Sequence, residues 1–402
     1  MSALLQKPPS IFGGILLIIG NVIGAGILAL PLATAQLGLP AAIALLLFFW
    51  LLMMLGAYYF LEANLAFPAG SNFISMSRIT LGKPGMVIAW ICYLLVMYSL
   101  ISAYIAGGGD LIKINFYYLG ITLPSWASSV FFLLIFGFVV FRGIYITDYT
   151  NRILMLAKAI IFFITVMGIA MHFNFYTIPI ISQKNLSSSL LIVAITSFGF
   201  ATLIPSLRTY YNSDVQKIKK IIFWGTLIPF LCYVAWVTVI FSVIPYYGVY
   251  GLAKISTSTH PVSDLQYALK EALQISWLIQ ATNIFSAICV ITSFLANSIS
   301  LSDFLADGLA IHKNQNNRWL IYLIAYLPAI CVVIFYQKAF LLGLSIAGTL
   351  AIIQLLILPG MIVWFLRYSD IDIRSNYAVM GGKFLLIMML IISFFLLVWA
   401  LL

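Results

Sequence analysis

Charge is what this sequence has least of. Only 7% of its 402 residues are Asp, Glu, Lys or Arg and 64% are hydrophobic, whereas about a quarter of an ordinary soluble domain is charged. So little polar surface cannot cover a water-facing molecule of this length, and most of the chain must be solvated by lipid. Acids are the scarcer sign, 10 against 20 Lys and Arg, for a formal net charge of +10. In a soluble chain that excess would point to nucleic acid. In a membrane chain it reports anchoring at the cytoplasmic leaflet, and nucleic acid is set aside as a partner. Cysteine and histidine are sparse as well. Cys92, Cys232, Cys289 and Cys331 stand singly inside apolar runs without CxxC spacing, which excludes a disulfide framework or a thiolate metal site. His172, His260 and His312 are scattered over loops and run ends. With no HExxH, no GxSxG and no paired acids inside an apolar run, catalysis by metal, nucleophile or two carboxylates has no constellation to work from. An intramembrane enzyme is therefore the distant alternative, and no cofactor is expected.

What the sequence has in quantity is apolar runs. Eleven stretches, each long enough to cross about 30 Å of hydrocarbon as helix, fall at 11–36, 40–63, 86–112, 127–146, 151–172, 187–207, 220–244, 275–302, 317–336, 339–365 and 380–401. Turn and charge signals such as Pro68 to Gly70, Gly82-Lys83-Pro84 and Pro245 to Pro261 separate them. The run after Lys7 continues past signal-peptide length without a small-residue cleavage pattern, so it reads as a retained span. Nineteen of the 20 basic residues sort onto alternate loops, fourteen on the side of the N-terminus and five opposite. That asymmetry predicts a cytoplasmic N-terminus and, after eleven spans, an external C-terminus. The fold class is an all-α polytopic membrane domain occupying 1–402. The twentieth basic residue, Lys158, lies six residues past Arg152 inside an apolar run.

Two runs are broken. The first holds Gly20-Asn21-Val22-Ile23-Gly24-Ala25-Gly26 and then Pro31; the sixth holds Thr196-Ser197-Phe198-Gly199-Phe200 and then Pro205. Glycine and proline clusters at mid-membrane are tolerated where the backbone is buried in protein or lines a cavity. Each broken run opens a set of five, 11–172 and 187–365, with 380–401 left over, and an odd number of spans inverts one set against the other. This is the pattern of an inverted-repeat secondary transporter with its site at mid-membrane. A channel is disfavoured because the breaks form a repeat-related pair. At an unwound segment, free N–H groups and a positive helix end suit a carboxylate, while bare carbonyls suit an ammonium. An α-amino acid carries both charges. Gly20 and Gly24 also have the spacing of close helix packing.

The run Ile23-Gly24-Ala25-Gly26-Ile27-Leu28-Ala29-Leu30-Pro31, the stretch Thr196 to Ser206 and the segment Ser302-Asp303-Phe304-Leu305-Ala306-Asp307 resemble the bacterial aromatic amino acid permeases, and the resemblance runs over essentially the whole chain. It implies the amino acid–polyamine–organocation (LeuT-type) fold, with ten helices in two inverted repeats plus one. It also implies a protein of the bacterial inner membrane that imports an aromatic amino acid, tyrosine first, by proton symport; the oligomeric state is left open, with a monomer the expectation. A sodium-coupled or broader neutral amino acid symporter is the competing reading.

The substrate candidates follow from the breaks: Asn21, Gly24, Ala25 and Gly26 for the carboxylate, and Thr196, Ser197 and Phe198 for the ammonium. Phe198 and Phe200, on either side of Gly199, are candidates for the ring. The third run supplies Tyr98, Ser102 and Tyr104, of which Tyr98 and Ser102 are i, i+4 and share a face. In related transporters a lysine on the fifth helix takes the place of a sodium ion between helices one, five and eight, and Lys158 matches that position. Its residues alone leave two readings open. Its stem can snorkel the roughly 9 Å back to the interface. Otherwise it is a buried amine, tied to the first break and to Asn297 and Ser298 of the eighth run, that takes up and releases the coupling proton. Glu62 and Asp110 are expected at the interface. Gly107-Gly108-Gly109 before Asp110 suggests a flexible external gate, and Asp303 and Asp307 are expected to pair with Arg78 or Arg318.

Overall fold

The computed structural model describes residues 10–68, 71–178, 188–309, 318–336, 338–369, 373 and 375–401. Its helices begin and end where local chemistry requires. Helix α1 (Ile11–Val22) is capped by Ser10, whose Oγ accepts the Gly13 amide at 3.2 Å. It stops before Gly24, and α2 (Gly26–Thr34) resumes at 55° to it. Gly38, at φ +76°, turns the chain into α3 (Leu39–Ala66), with Pro40 in its first turn. Asn72 caps α4 (Phe73–Tyr118), and Gly82, at φ +71°, divides that long helix into two segments where Gly82-Lys83-Pro84 predicted a boundary.

The chain continues through α5 (Ser125–Phe141), α6 (Ile144–Ala170), α7 (Ser188–Ser197), α8 (Ile204–Tyr210) and α9 (Val215–Val243). Two short helices, α10 (Leu252–Ile255) and α11 (Pro261–Leu273), lead to α12 (Ser276–Gly308) and α13 (Arg318–Phe335). Then α14 (Ala339–Ile352) passes through a π turn at Ile353–Ile357 into α15 (Leu358–Tyr368), and α16 (Gly382–Leu401) follows.

Among the described residues, eight stretches are long and apolar enough to cross a membrane, or nine with the bent α1–α2 pair taken as one span. The runs predicted at 127–146 and 317–336 correspond to shorter apolar helices, Ser125–Phe141 and Trp319–Phe335. The chain is thus an all-helical, multi-pass membrane protein.

Its outer faces are apolar: Phe163 and Met167 of α6 and Phe394 and Phe395 of α16 are exposed, as lipid-facing residues must be. Inside, α1 packs on α9, α2 on α7, and α12 on α6 and α4, while α14 lies against α4 and α7. Hydroxyls in this interior return their proton to the preceding turn, as Thr34 does to the Leu30 carbonyl at 2.7 Å and Ser393 to that of Met389 at 2.7 Å. A hydroxyl without water must find a carbonyl, and the helix supplies one four residues back. The two helix breaks consequently lie side by side in the middle of the bundle, with α6, α9, α12 and α14 around them.

Candidate functional site

At the first break the Gly24 amide turns back to the Val22 carbonyl at 2.8 Å, and the Ile27 and Leu28 amides reach only to Gly24 and Ala25, at 3.3 and 3.1 Å. Ala25, at the N-cap of α2, makes no side-chain cap, so the amides of Ala25 and Gly26 are the ones left for another acceptor. The glycines also permit close packing. A Cβ on Gly24 would run into the Ser293 hydroxyl of α12, and one on Gly26 would lie 2.6 Å from the Ser197 hydroxyl of α7. Unwinding and close approach are properties of the same residues.

The second break is built the same way. Gly199 donates to the Thr196 carbonyl at 3.2 Å and Phe200 to that of Phe198 at 3.0 Å. Two side chains bridge the breaks. Asn21 donates from Nδ2 to the Gly199 carbonyl at 3.3 Å. The Tyr233 hydroxyl of α9 lies 2.6 Å from the Val22 carbonyl and 2.9 Å from that of Ser197.

Lys158 does not snorkel. Its side chain is 4% exposed, and Nζ donates to the Ile23 carbonyl of the first break at 2.5 Å and to Thr292 Oγ1 of α12 at 3.2 Å. The tie to the first break is as expected; the partners on the eighth run are not. Asn297 donates to its own helix at the Ser293 carbonyl, 2.9 Å, and Ser298 Oγ is buried with no hydrogen-bond partner. The reason is rotational: at about 100° per residue, positions 297 and 298 face some 120–140° away from Thr292.

Beside the breaks lies a cavity of about 970 Å³. Asn21, Gly24, Ala25 and Gly26 line it from the first break and Thr196, Ser197 and Gly199 from the second; Asn297, Ser300 and Asp303 line it from α12. Its aromatic wall is Phe60, Phe73, Tyr93, Tyr104 and Phe304, with the Tyr93 and Phe304 rings 4.6 Å apart.

Four expected ring or pocket residues are not in that lining. Phe198 is 1% exposed and packs edge-on against Tyr233 at 5.3 Å, and Phe200 is equally buried. Tyr98 and Ser102 do share a face, but it is turned to α13: the Tyr98 hydroxyl donates to the Ile324 carbonyl at 2.8 Å, and Ser102 Oγ is 3.4 Å from that of Ala329. Met97, Leu100 and Tyr104 take the cavity side of α4 instead.

Two acids expected at the interface are buried within the protein. Glu62 is 3% exposed and accepts Arg367 Nε at Oε1 and Nη2 at Oε2, both at 2.6 Å; its Oε2 also accepts the Val379 amide at 2.7 Å. Asp110 is 5% exposed, with Oδ1 2.7 Å from His260 Nδ1. The opposite ring nitrogen of His260 is 3.2 Å from the Ser125 hydroxyl, which accepts Lys113 Nζ at 2.9 Å. The three glycines before Asp110 are not a flexible hinge but regular helix, and Phe340 and Phe132 sit where side chains on Gly107 and Gly108 would be. Asp303 lines the cavity, whereas the side chains of Asp307 and Arg318 lie outside the described residues. No group of three or more His, Cys, Asp or Glu among the described residues could hold a metal ion.

Over residues 7–400 the chain matches the tryptophan/tyrosine permease family. The chain belongs to that family. The permease is 28% identical over 393 residues to tyrosine-specific transport system 2 of Haemophilus influenzae, covering 95% of this chain and 94% of that protein. It is 29% identical over 395 residues to the tryptophan-specific transport protein of the same organism, covering 95% and 93%. With the low affinity tryptophan permease of Escherichia coli it shares 28% identity over 378 residues, 89% of this chain and 87% of that one. Family membership makes it a transporter and not an enzyme.

Proposed function

We propose that the permease imports an aromatic amino acid, tyrosine before tryptophan, by proton symport with alternating access across a bacterial inner membrane. The observation that carries this reading is the junction of Lys158 with the first break, beside a cavity that both breaks line. A zwitterion entering there would put its carboxylate on the uncapped start of α2 at Gly24 to Gly26, and its ammonium near the Thr196 to Phe198 carbonyls.

A protonated Lys158 holds α6 and α12 to the Ile23 carbonyl as a cation would. After losing its proton it keeps hydrogen-bonding capacity but no charge, so its hold on the break weakens. The binding and release of one proton thus act on the backbone that binds substrate. The ammonium occupies the position a sodium ion would need, which favours proton over sodium coupling.

In this reading the spans number eleven. The first repeat runs from α1 to α6 and the second from α7 to α15, with α16 added, and the protein works as a monomer. The cavity lining extends from the breaks to Asn72, Ser206 and Asp303. With the N-terminus cytoplasmic, that is the inner end of the bundle, and the conformation is inward-facing. The opposite end is shut by Asp110 and His260.

Uptake into proteoliposomes tests the proposal. Tyrosine accumulation should follow an imposed pH gradient without sodium. Lys158→Gln should abolish that accumulation, at least tenfold, while retaining tyrosine exchange. Gradient-driven uptake that survives in the variant overturns the role of Lys158, and a sodium requirement in the unmodified protein overturns proton coupling. Competition by leucine or arginine as strong as that by tyrosine overturns the aromatic reading.

A further inference from the structure

We propose that Gln354 reads the substituent on the substrate ring, and that its side-chain amide donor selects a phenol over an indole or an unsubstituted phenyl ring. The proposal rests on the aromatic import reading above and goes further, because it assigns a residue to the choice between substrates.

Gln354 lies inside the π turn between α14 and α15. Such turns interrupt the regular helical register and recur at functional sites. Along α14 the cavity meets Leu344, Ala347 and Ala351, and in the π turn it meets the adjacent pair Gln354 and Leu355. Ala347 and Ala351 leave room against that wall for a flat ring. The same wall adjoins the second break: the Thr196 hydroxyl donates to the Leu344 carbonyl at 2.9 Å, and a Cβ on Gly199 would lie 3.6 Å from Leu355 Cδ1. An amino acid whose charged head sits at the breaks therefore projects its side chain along α14.

The Gln354 side chain is 2% exposed, and its Nε2 is buried with no hydrogen-bond partner. Buried side-chain amides are ordinarily paired, so an orphan donor calls for a reason. Four other polar side chains of the cavity lining are already engaged. Asn21 donates to the Gly199 carbonyl and Asn297 to that of Ser293, while Ser197 and Ser300 return their protons to their own helices.

The chemistry then discriminates. An amide Nε2 only donates, so it needs an acceptor. A phenol oxygen accepts, and its own proton remains free for Oε1. An indole N–H can be accepted only by Oε1 and leaves Nε2 unmet, so it satisfies half of what a phenol does; a phenyl ring offers nothing. A site built to hydrogen-bond a substrate hydroxyl rejects the analogue that lacks it, because its own polar group is then left unpaired.

Equilibrium binding of tyrosine, phenylalanine and tryptophan to the detergent-solubilised, full-length permease tests this without involving proton coupling. Gln354→Met keeps the volume and removes the donor. It should weaken tyrosine about ten- to a hundredfold and leave phenylalanine and tryptophan within about threefold. A second measurement needs no variant: the unmodified permease should prefer tyrosine to both phenylalanine and 4-aminophenylalanine by about tenfold or more. Equal weakening of all three ligands by Gln354→Met, selective weakening of tryptophan, or no preference for tyrosine in the unmodified protein each overturns the assignment while leaving aromatic import standing. An unmodified protein that binds none of the three overturns the import reading and this one with it.

Discussion

Glu62 and Arg367 form a two-pronged charge pair that also takes in the amide and carbonyl of Val379. The carboxylate thereby holds the segment before α16 against α3. Glu62→Gln keeps the shape but leaves a guanidinium facing a neutral amide. Loss of one partner from a buried pair costs about 3 kcal/mol or more. Thermal unfolding in detergent should show that loss, and Glu62→Gln/Arg367→Met should recover part of it. Nothing in the sequence announced this pair, because its members stand 305 positions apart and each resembles an interfacial charge. Lys158 is the contrary case. In a chain with so few charges, one lysine deep in an apolar run is conspicuous, and its tie to the first break could be anticipated. Its partner on α12 could not, since any of several hydroxyls and amides was compatible with the composition.

At the scale of elements, the sequence marked boundaries and breaks well and orientations poorly. Glycine and proline act locally, so Gly82 and the two unwound segments were legible. The rotation of a helix about its own axis is set by its partners, and α4 shows the result: Tyr98 and Ser102 share a face, as spacing required, but that face belongs to α13. Phe198 likewise sits in the broken segment yet packs on Tyr233, and nothing in the sequence picked out Gln354, whose π turn has no clear local signature. Between elements, the C-terminal end of α4 is fastened to the residue preceding α11 by Asp110 and His260. His260→Ala leaves the carboxylate buried without that partner. Backbone amide exchange at 107–110 should then rise about tenfold, while that of α9 stays unchanged. Equal exchange in the two proteins would mean that the contact does not hold this end closed.

For the whole molecule, lipid is the solvent and the sorting of basic residues is the map. The inverted arrangement and the inward-facing state both depend on that map, and the count of eleven spans depends on the two shorter apolar helices crossing the membrane. Reporter fusions after residue 401 test the predicted combination of a cytoplasmic N-terminus and an odd number of crossings. Alkaline phosphatase placed there should be active and green fluorescent protein dark; the reverse result would require an even number of crossings or an inverted bundle. Family membership was legible because the IGAG run and its companion break are backbone requirements rather than surface preferences. Substrate choice was not, because it turns on which of many polar side chains is left without a partner after folding.

The three glycines at 107–109 have a mechanical consequence. Helices ordinarily lock together through interdigitated side chains, and changing their relative tilt requires those side chains to disengage. Along this stretch α4 presents bare backbone to Phe132 of α5 and Phe340 of α14. A smooth contact of that kind works as a bearing: two rings can slide over it without repacking. At the C-terminal end of α4, neighbouring helices can therefore change angle without disengaging side chains along this stretch, and bulk added at Gly107 or Gly108 would jam the bundle rather than merely crowd it.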